Sequence, residues 1–374
     1  MPPPAVSRPI FLAAPPGLEP LLLAEARERG FIDARAMKGG VAVAGDWREA
    51  WRANLELRGA VRVLWRMGSF RAAHLAQLDR RARSFPWAET LRSDVPVRVE
   101  ASCRRSKIYH SGAARERIGR AVAETLGAPV DDAAEVRVTA RIIDDLCTLS
   151  VDLSGEPLHK RGFKQEVAKA PMRETLAALF LRACGYAGDE PVVDPVCGSG
   201  TFVAEAAEIA LGLAPGRGRA FAFEKLATFD AEIWRALRSG SSPRPRAATP
   251  RFYGFDRDPG AVRMSAANAA RAGVDQAATF EARDVADLQP PEGPAGLVIA
   301  NLPYGARIGA NGALRGLYAG FGRVLRERFS GWRVGIVTSD PALAKATALA
   351  FSDPGPVVDH GGIKVRLYTT GRLP

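Results

Sequence analysis

A glycine-rich turn between an apolar strand and a helix constrains this chain more than any other feature. Residues 191–201 read Pro-Val-Val-Asp-Pro-Val-Cys-Gly-Ser-Gly-Thr, which predicts a strand at 192–194 and a helix that begins near Thr201. Gly198 and Gly200 let the backbone approach a ligand at the carboxyl end of a sheet, where open α/β folds bind small molecules. The third glycine of a dinucleotide fingerprint and the Gly-Lys-Ser/Thr of a P-loop are missing from the motif. The loop therefore favours a nucleoside-like ligand with an amino-acid tail.

Strands followed by amphipathic helices recur after residue 157 and indicate a parallel sheet that is covered on both faces. Further strands are predicted at 252–256, 278–281, 297–300 and 334–338, with a last one at 363–370, antiparallel to its neighbour. Residues 239–250, SGSSPRPRAATP, are predicted to form a mobile, turn-rich insert. The second half of the chain is therefore expected to be an α/β domain.

Three acidic residues stand at the ends of predicted strands. Asp194 could accept a hydrogen bond from an ammonium group, Asp256 could accept from both hydroxyls of a ribose, and Asp284 could accept from an adenine amine. Asp258, which precedes Pro259, is expected to be a helix N-cap. Together with the glycine-rich turn, the three strand-end acids predict a binding site for S-adenosylmethionine.

The strand at 297–300 runs directly into Asn301-Leu302-Pro303-Tyr304. An exocyclic amine on a base is a poor nucleophile until its hydrogens are held by acceptors. The amide oxygen of Asn301 and the next backbone carbonyl, of Leu302 or Pro303, would supply two acceptors, while Pro303 aims the carbonyl and Tyr304 stacks on the base. The loop therefore predicts methylation of an exocyclic nitrogen without a catalytic acid or metal.

The first half of the chain alternates strands and helices and carries most of the positive charge. Strands are predicted at 9–13, 40–44, 61–67, 95–101, 136–143 and 146–153, and helices at 18–29, 47–58, 74–85 and 111–126, with a hairpin around Asp144-Asp145. The net charge is +11, and residues 51–120 hold 16 Lys and Arg against 6 Asp and Glu. This mixture of cations with Tyr109 and His110 suits a polyanion with bases, although a solvated basic face is the alternative.

Length and composition exclude several classes of protein. With 374 residues and 47% hydrophobic content, the chain can form two or three domains with proper cores, which excludes a disordered protein. No apolar run is long enough to span a membrane, the start is interrupted by prolines, and the four cysteines and four histidines are scattered. We expect a cytosolic protein without a zinc site or disulfide framework, in which the histidines are ordinary surface residues.

Several motifs resemble those of bacterial 23S rRNA guanine-N2 methyltransferases that carry a THUMP domain. The resemblance rests on DPVCGSGT, NLPYG, LHKRGF and APMRETLAAL, and on FLAAPPGLEPLLLAEARERG, GGVAVAGD and VDLSGEPLHKRGF in the first half. Residues 214–225, APGRGRAFAFEK, are similar to an insertion in these enzymes. The resemblance implies a ferredoxin-like unit at 1–57, a THUMP RNA-binding domain at 58–155 and, at 156–374, a class I Rossmann-like methyltransferase domain with a seven-stranded, mostly parallel sheet.

The resemblance also assigns roles to residues. Catalytic or substrate contacts would be Asn301, Pro303 and Tyr304. The cofactor contacts would be Asp194, Cys197, Gly198, Gly200, Asp256, Asp284 and Asn301. Independently of the resemblance, the basic segment predicts RNA contacts at Arg98, Arg104, Arg105, Lys107 and Arg115. The motifs add Arg161 as an RNA contact, and Arg161 and Arg173 would line the approach to the cofactor or RNA, with a basic linker and a helix-surface arginine as the alternative.

Two departures from the family pattern are present, and the first leaves the RNA substrate open. The loop has Leu302 where the rRNA enzymes have proline, and a similar leucine occurs in THUMP enzymes that act on tRNA; some relatives also continue into a second methyltransferase domain. A tRNA guanosine-N2 methyltransferase is therefore one alternative. A DNA adenine-N6 methyltransferase and a non-catalytic RNA-binding assembly factor are the others.

Overall fold

The computed structural model describes residues 8–167, 171–240, 251–305 and 311–374, which form two compact units. Unit 1 consists of residues up to 14, residues 23–158 and residues 219–240. Unit 2 consists of residues 15–22, 159–218 and those from 241 onward. Each unit is built around one sheet.

Unit 1 contains a seven-stranded sheet in the order β2-β3-β1-β4-β7-β6-β5. The strands are β1 (Arg8–Ala13), β2 (Arg35–Met37), β3 (Gly40–Gly45), β4 (Arg62–Arg71), β5 (Val97–Arg104), β6 (Val136–Ile143) and β7 (Leu146–Asp152). Pairing is antiparallel except between β5 and β6. Since β1 pairs with β4, the strands expected in the ferredoxin-like and THUMP domains share one sheet.

The helices of the first half of the chain are α1 (Glu19–Glu28), α2 (Trp47–Glu56), α3 (Leu75–Arg83) and α4 (Ser111–Leu126). Helices α2 and α4 pack on one face of this sheet, and α3 packs on α4. Trp47 of α2 stacks on Trp65 of β4 with ring centroids 4.0 Å apart, and Gly119 of α4 packs against Val99 of β5. Because side chains alternate along a strand, the residues next to Trp65 and Val99 face the other way. That opposite face is called here the open face.

The hairpin predicted around Asp144-Asp145 joins β6 and β7. Both aspartates have positive φ, at 51° and 61°, as a tight two-residue turn requires. The carboxylate of Asp145 accepts from the Ser106 hydroxyl at 2.7 Å and from the Lys107 N–H at 2.8 Å. The turn therefore anchors the basic segment that follows β5.

Unit 2 contains a second seven-stranded sheet in the order β10-β9-β8-β11-β12-β14-β13. The strands are β8 (Val192–Asp194), β9 (Phe252–Asp256), β10 (Ala278–Ala282), β11 (Leu297–Ala300), β12 (Arg333–Thr338), β13 (Val358–His360) and β14 (Ile363–Thr369). Parallel pairing joins β10, β9, β8, β11 and β12, whereas β14 is antiparallel to β12 and β13. The expected α/β fold with a mostly parallel sheet is confirmed.

The helices of the second half are α5 (Glu174–Ala183), α6 (Thr201–Ala210), α7 (Ala231–Gly240), α8 (Pro259–Ala272), α9 (Asn311–Arg328) and α10 (Pro341–Ala346). The segment 219–240, which includes α7, belongs to unit 1 although it follows α6 in the chain. Phe223 and Trp234 of this segment are buried, and the Phe223 ring stacks on Trp51 of α2 at 5.5 Å. An excursion from the second half of the sequence thus completes the core of unit 1.

The predicted elements agree with the structure apart from their ends and two short strands. β2 and β13, each three residues long, were not predicted. Most of the predicted insert, residues 241–250, lies outside the described residues, while Ser239 and Gly240 end α7. None of the described helices combines the length and apolar character that a bilayer span requires.

Candidate active site

The parallel strands of unit 2 bring the predicted site residues to one edge of the sheet. Asp194 ends β8 and Asp256 ends β9, while Asp284 and Asn301 follow β10 and β11. Because these four strands are parallel neighbours, their carboxyl ends lie side by side. Four residues that are scattered over 108 positions of the sequence thus share one edge.

The glycine-rich turn has a fixed and tightly packed backbone. Gly198 and Gly200 have φ of 55° and 77°, and Gly200 caps the start of α6. A Cβ on Gly200 would lie 3.0 Å from Cβ of Ser265 and 3.2 Å from the Phe280 ring. The Ser265 hydroxyl also donates to the Gly198 carbonyl at 2.9 Å. Both the conformation and the space require glycine at position 200.

Asp256 is partly exposed and braces the turn from the neighbouring strand. One carboxylate oxygen accepts from the Gly198 N–H at 3.1 Å, and the other accepts from the Asp258 N–H at 3.0 Å. Asp258 itself accepts from Gly260 N–H and caps α8, as expected from its position before proline. Asp284 is exposed, and it accepts from Ala286 N–H at the start of a short 3₁₀ helix.

Asp194 and Cys197 lie deeper than the other predicted cofactor contacts. Asp194 is 2% exposed and accepts from Val196 N–H, and burial raises the pKa of its carboxyl group to about 8. A nearby ammonium group would favour the ionised form of such a carboxyl. Cys197 is also buried, with its Sγ 3.6 Å from the Ser265 hydroxyl, and burial raises the pKa of the thiol.

Asn301 presents a hydrogen-bond acceptor that no described residue uses. Its side-chain oxygen Oδ1 is buried, and the described part of the chain offers it no donor. A buried acceptor without a partner is rare in native proteins because the lost hydration is not replaced. The next residue, Leu302, is fully buried in the core of unit 2 and anchors the loop to that core.

The rest of the loop is held by two residues that the sequence did not single out. The hydroxyl of Tyr318, on α9, donates to the Pro303 carbonyl at 3.3 Å. The hydroxyl of Tyr304 lies 3.1 Å from Nδ1 of His360, at the end of β13. His360 is 6% exposed, so the expectation that the histidines are surface residues is wrong for this one. Neither residue belongs to a local motif, and neither carries a sequence signal that would have revealed it.

The basic residues predicted to contact RNA lie along β5, the loop after it and α4. Arg104, Arg105, Lys107 and Tyr109 are exposed, and Tyr109 is 83% exposed. Arg105 and Arg115 form exposed ion pairs with Asp144 and Asp132. Exposed pairs of this kind contribute little to stability because water and salt screen them, so phosphate groups can compete for these arginines. Arg98 is partly buried next to Glu100.

Arg161 does not lie at an RNA-accessible surface. Its side chain is 4% exposed and pairs with Glu205 of α6, which is 2% exposed, at 3.5 Å. The predicted RNA contact is therefore wrong, because the LHKRGF motif shows a basic residue but not its buried partner. Arg173 is exposed, and its charge adds to the burial that lowers the pKa of both His159 and His360.

Comparison with known proteins agrees with this arrangement. Residues 9–64 match the RlmL ferredoxin-like domain and residues 72–152 match the THUMP domain. The chain is 38% identical over 353 residues to the ribosomal RNA large subunit methyltransferase K/L of Syntrophotalea carbinolica, covering 90% of this chain. It spans about half the length of the curated relatives it matches.

Two solved structures resemble the whole chain. One is SMU.472, named a methyltransferase and complexed with SAH, at 25% identity and a TM-score of 0.88, with 98% of this chain and 99% of the other covered. The other is named a predicted N6-adenine-specific DNA methylase, from Listeria monocytogenes, at 28% identity and a TM-score of 0.88, with 99% and 97% covered. Residues 161–354, more than half of the chain, match UPF0020, the RMKL-like methyltransferase domain. The chain belongs to this family of methyltransferases.

Proposed function

We propose that this chain transfers a methyl group from S-adenosylmethionine to N2 of a guanine in large-subunit ribosomal RNA. The observation that carries the proposal is the buried, unpartnered Oδ1 of Asn301 at the carboxyl edge of the sheet. The name of the Syntrophotalea relative supports ribosomal RNA as the substrate, and the SAH bound by SMU.472 supports the methyl donor. Ribosomal RNA as substrate also supports a cytosolic location.

The residues at the sheet edge fit the proposed cofactor. Gly198 and Gly200 give the turn its left-handed backbone conformation. Asp256 would accept from the ribose hydroxyls, and Asp284 would accept from the adenine amine. Asp194 would accept from the ammonium group, which offsets the burial that raises its pKa. S-adenosylmethionine supplies a methyl group that is activated by a sulfonium centre.

Two acceptors of the catalytic loop would prepare the guanine amine. Its nitrogen lone pair is delocalised into the ring, so holding both hydrogens favours a pyramidal and more nucleophilic nitrogen. Asn301 Oδ1 would accept one hydrogen, and the Leu302 carbonyl is proposed for the other because Tyr318 already donates to the carbonyl of Pro303. The loop would act mainly by positioning the amine in a water-poor site.

Tyr304 would stack on the base as a neutral ring. Burial raises the pKa of its hydroxyl to about 12, so this group stays protonated at physiological pH. The ring would hold a guanine that has been turned out of its helix or loop. The loop would therefore combine two acceptors with one stacking surface.

RNA would be held by unit 1. The loop after β5 would contact RNA, and so would the open face. The open face carries Arg35, Arg66 and Arg141, which the register of β2, β4 and β6 places on one side of the sheet. Burial and the charges of Arg141 and Arg35 lower the pKa of Arg66, and no carboxylate partner of Arg66 is found within the described ranges. An unneutralised group of arginines favours a polyanion. We retain the division at 1–57, 58–155 and 156–374 as a proposal.

The decisive experiment measures methyl transfer to three nucleic acids. The purified chain is incubated with labelled S-adenosylmethionine and unmodified large-subunit rRNA, tRNA or DNA, and the products are digested for nucleoside mass spectrometry. We expect N2-methylguanosine in the rRNA. Methylation of tRNA instead would favour the alternative that Leu302 leaves open, and N6-methyladenine in DNA alone would overturn the proposal.

Substitution of the unpartnered acceptor tests the assignment of the loop. We expect Asn301→Ala to abolish methyl transfer while cofactor binding, measured by calorimetry, changes only a few-fold. Gln276→Ala alters an exposed amide outside the site and serves as the matched control. Unchanged activity of Asn301→Ala would refute the role of the loop.

A further inference from the structure

His360 connects the catalytic loop to the segment that precedes α5. Its Nδ1 lies 3.1 Å from the Tyr304 hydroxyl, and its Nε2 lies 3.1 Å from the Pro171 carbonyl oxygen. The residue ends β13, far in sequence from both partners. One imidazole ring thus occupies the space between two segments of unit 2 and contacts each with a different nitrogen.

These two contacts determine where the protons are. A carbonyl oxygen can only accept, so Nε2 of His360 must donate to Pro171. In the neutral ring Nδ1 then carries no hydrogen, and the Tyr304 hydroxyl must donate to it. Protonation of His360 would place a hydrogen on Nδ1 and turn this nitrogen into a donor. The Tyr304 hydroxyl could then no longer donate to it, and the contact in its present form would be lost.

The surroundings of His360 favour the neutral ring. Burial is the main cause that lowers the pKa of the imidazole below its ordinary value, and the charges of Arg173 and Lys164 act in the same direction. The Pro171 carbonyl and the Asp359 carboxylate act in the opposite direction but do not reverse the shift. At neutral pH the ring is therefore an acceptor for Tyr304.

We propose that His360 is a positioning residue that holds the Tyr304 ring in the orientation in which it stacks on the target base, and that it does so only as the neutral imidazole. The inference rests on the proposed function, because the stacking role of Tyr304 belongs to it. His360 does not contact the base or the methyl donor in this proposal. It acts through the Tyr304 hydroxyl alone.

A double-mutant cycle separates this role from a merely structural one. His360→Phe keeps a ring of similar size but removes the acceptor, and we expect kcat to fall about tenfold, the effect of one lost hydrogen bond. Tyr304→Phe removes the hydroxyl through which His360 acts. In the Tyr304→Phe background, His360→Phe should therefore lower kcat no further. An equal fall in both backgrounds would overturn the proposal.

Two conservative variants test which nitrogen matters. His360→Asn places an amide oxygen where Nδ1 stands and should retain kcat within about twofold. His360→Gln places its amide nitrogen near Nε2 and keeps only the donor to Pro171, so its kcat should resemble that of His360→Phe. The reverse order would show that the contact with Pro171, not the one with Tyr304, is what counts. His74→Asn is the control, since His74 is exposed in unit 1 and asparagine preserves its capping role.

The pH profile tests the requirement for the neutral ring. Wild-type kcat should fall as the pH is lowered through the pKa of His360, below about 6.5. The kcat of His360→Asn should lack this fall, so the ratio of wild-type to variant kcat should decrease as the pH is lowered. Identical profiles would overturn this part. Wild-type protein that methylates no RNA would instead refute the proposed function, and nitrogen NMR of His360 would still test the proton positions: a signal from Nδ1–H at neutral pH would overturn them.

Discussion

Gly200 occupies a backbone conformation and a space that a side chain cannot share. Its φ is 77°, and a Cβ would approach Ser265 and Phe280 to 3.0 and 3.2 Å. We expect Gly200→Ala to lower the free energy of unfolding by about 1–2 kcal/mol and to weaken cofactor binding, as measured by urea unfolding and calorimetry. Gly316→Ala, in open space on α9, is the matched control and should instead raise stability by about 0.5–1 kcal/mol. Equal effects at both positions would contradict this reading of the loop.

His159 makes the stability of the chain depend on pH. Burial, with the charges of Arg173 and Lys164, lowers its pKa to about 4, and its buried Nδ1 finds no donor or acceptor in the described structure. Below about 6.5 the unfolded chain binds a proton that the folded chain does not, so stability falls as the pH drops toward 4. The melting temperature should therefore decrease from pH 7 to pH 5, and less so in His159→Gln. A steeper decrease in the variant would contradict the shift.

At the scale of elements, the β6–β7 turn controls the basic loop after β5. Asp145 holds Ser106 and Lys107, whereas Asp144 holds the exposed side chain of Arg105. Asp145→Gly keeps the left-handed turn but removes the anchor, and we expect RNA affinity to fall several-fold in filter binding while cofactor binding is unchanged. Asp144→Gly, the control, releases Arg105 and should not weaken RNA binding. Wild-type affinity in Asp145→Gly would show that the anchor is irrelevant to RNA.

The elements also show what the sequence could and could not predict. The positions of Asn301 and of the glycine-rich turn at the sheet edge were predictable, because each directly follows an apolar run that indicates a strand. His360 was not, because β13 has only three residues and its partners Tyr304 and Pro171 are 56 and 189 positions away. Arg161 was misassigned for the same reason, since it lies in a loop and its partner Glu205 lies on α6, distant in sequence. Contacts distant in sequence leave no periodic pattern to read.

At the scale of the whole molecule, charge should dominate RNA affinity. Residues 51–120 hold a large excess of cations, and the open face adds Arg35 and Arg141 on either side of Arg66. Affinity should fall steeply with salt, and Arg66→Gln and Arg141→Gln should each reduce the slope of log K against log salt by roughly 0.7–0.9 if each neutralises one phosphate. Arg92→Gln, which removes an exposed arginine paired with Asp94, is the control. An unchanged slope in the first two variants would exclude the open face.

The excursion at 219–240 determines how the protein can be divided. Because Phe223 and Trp234 supply buried aromatic rings to unit 1, a fragment that ends at Leu158 would leave Trp51, on which Phe223 stacks, facing water. Likewise, a fragment that begins at His159 would carry these apolar side chains without the core they fill. Unit 1, for which RNA binding is proposed, therefore cannot be transplanted as one continuous stretch of sequence. A transplant would have to include residues 219–240 as a second segment.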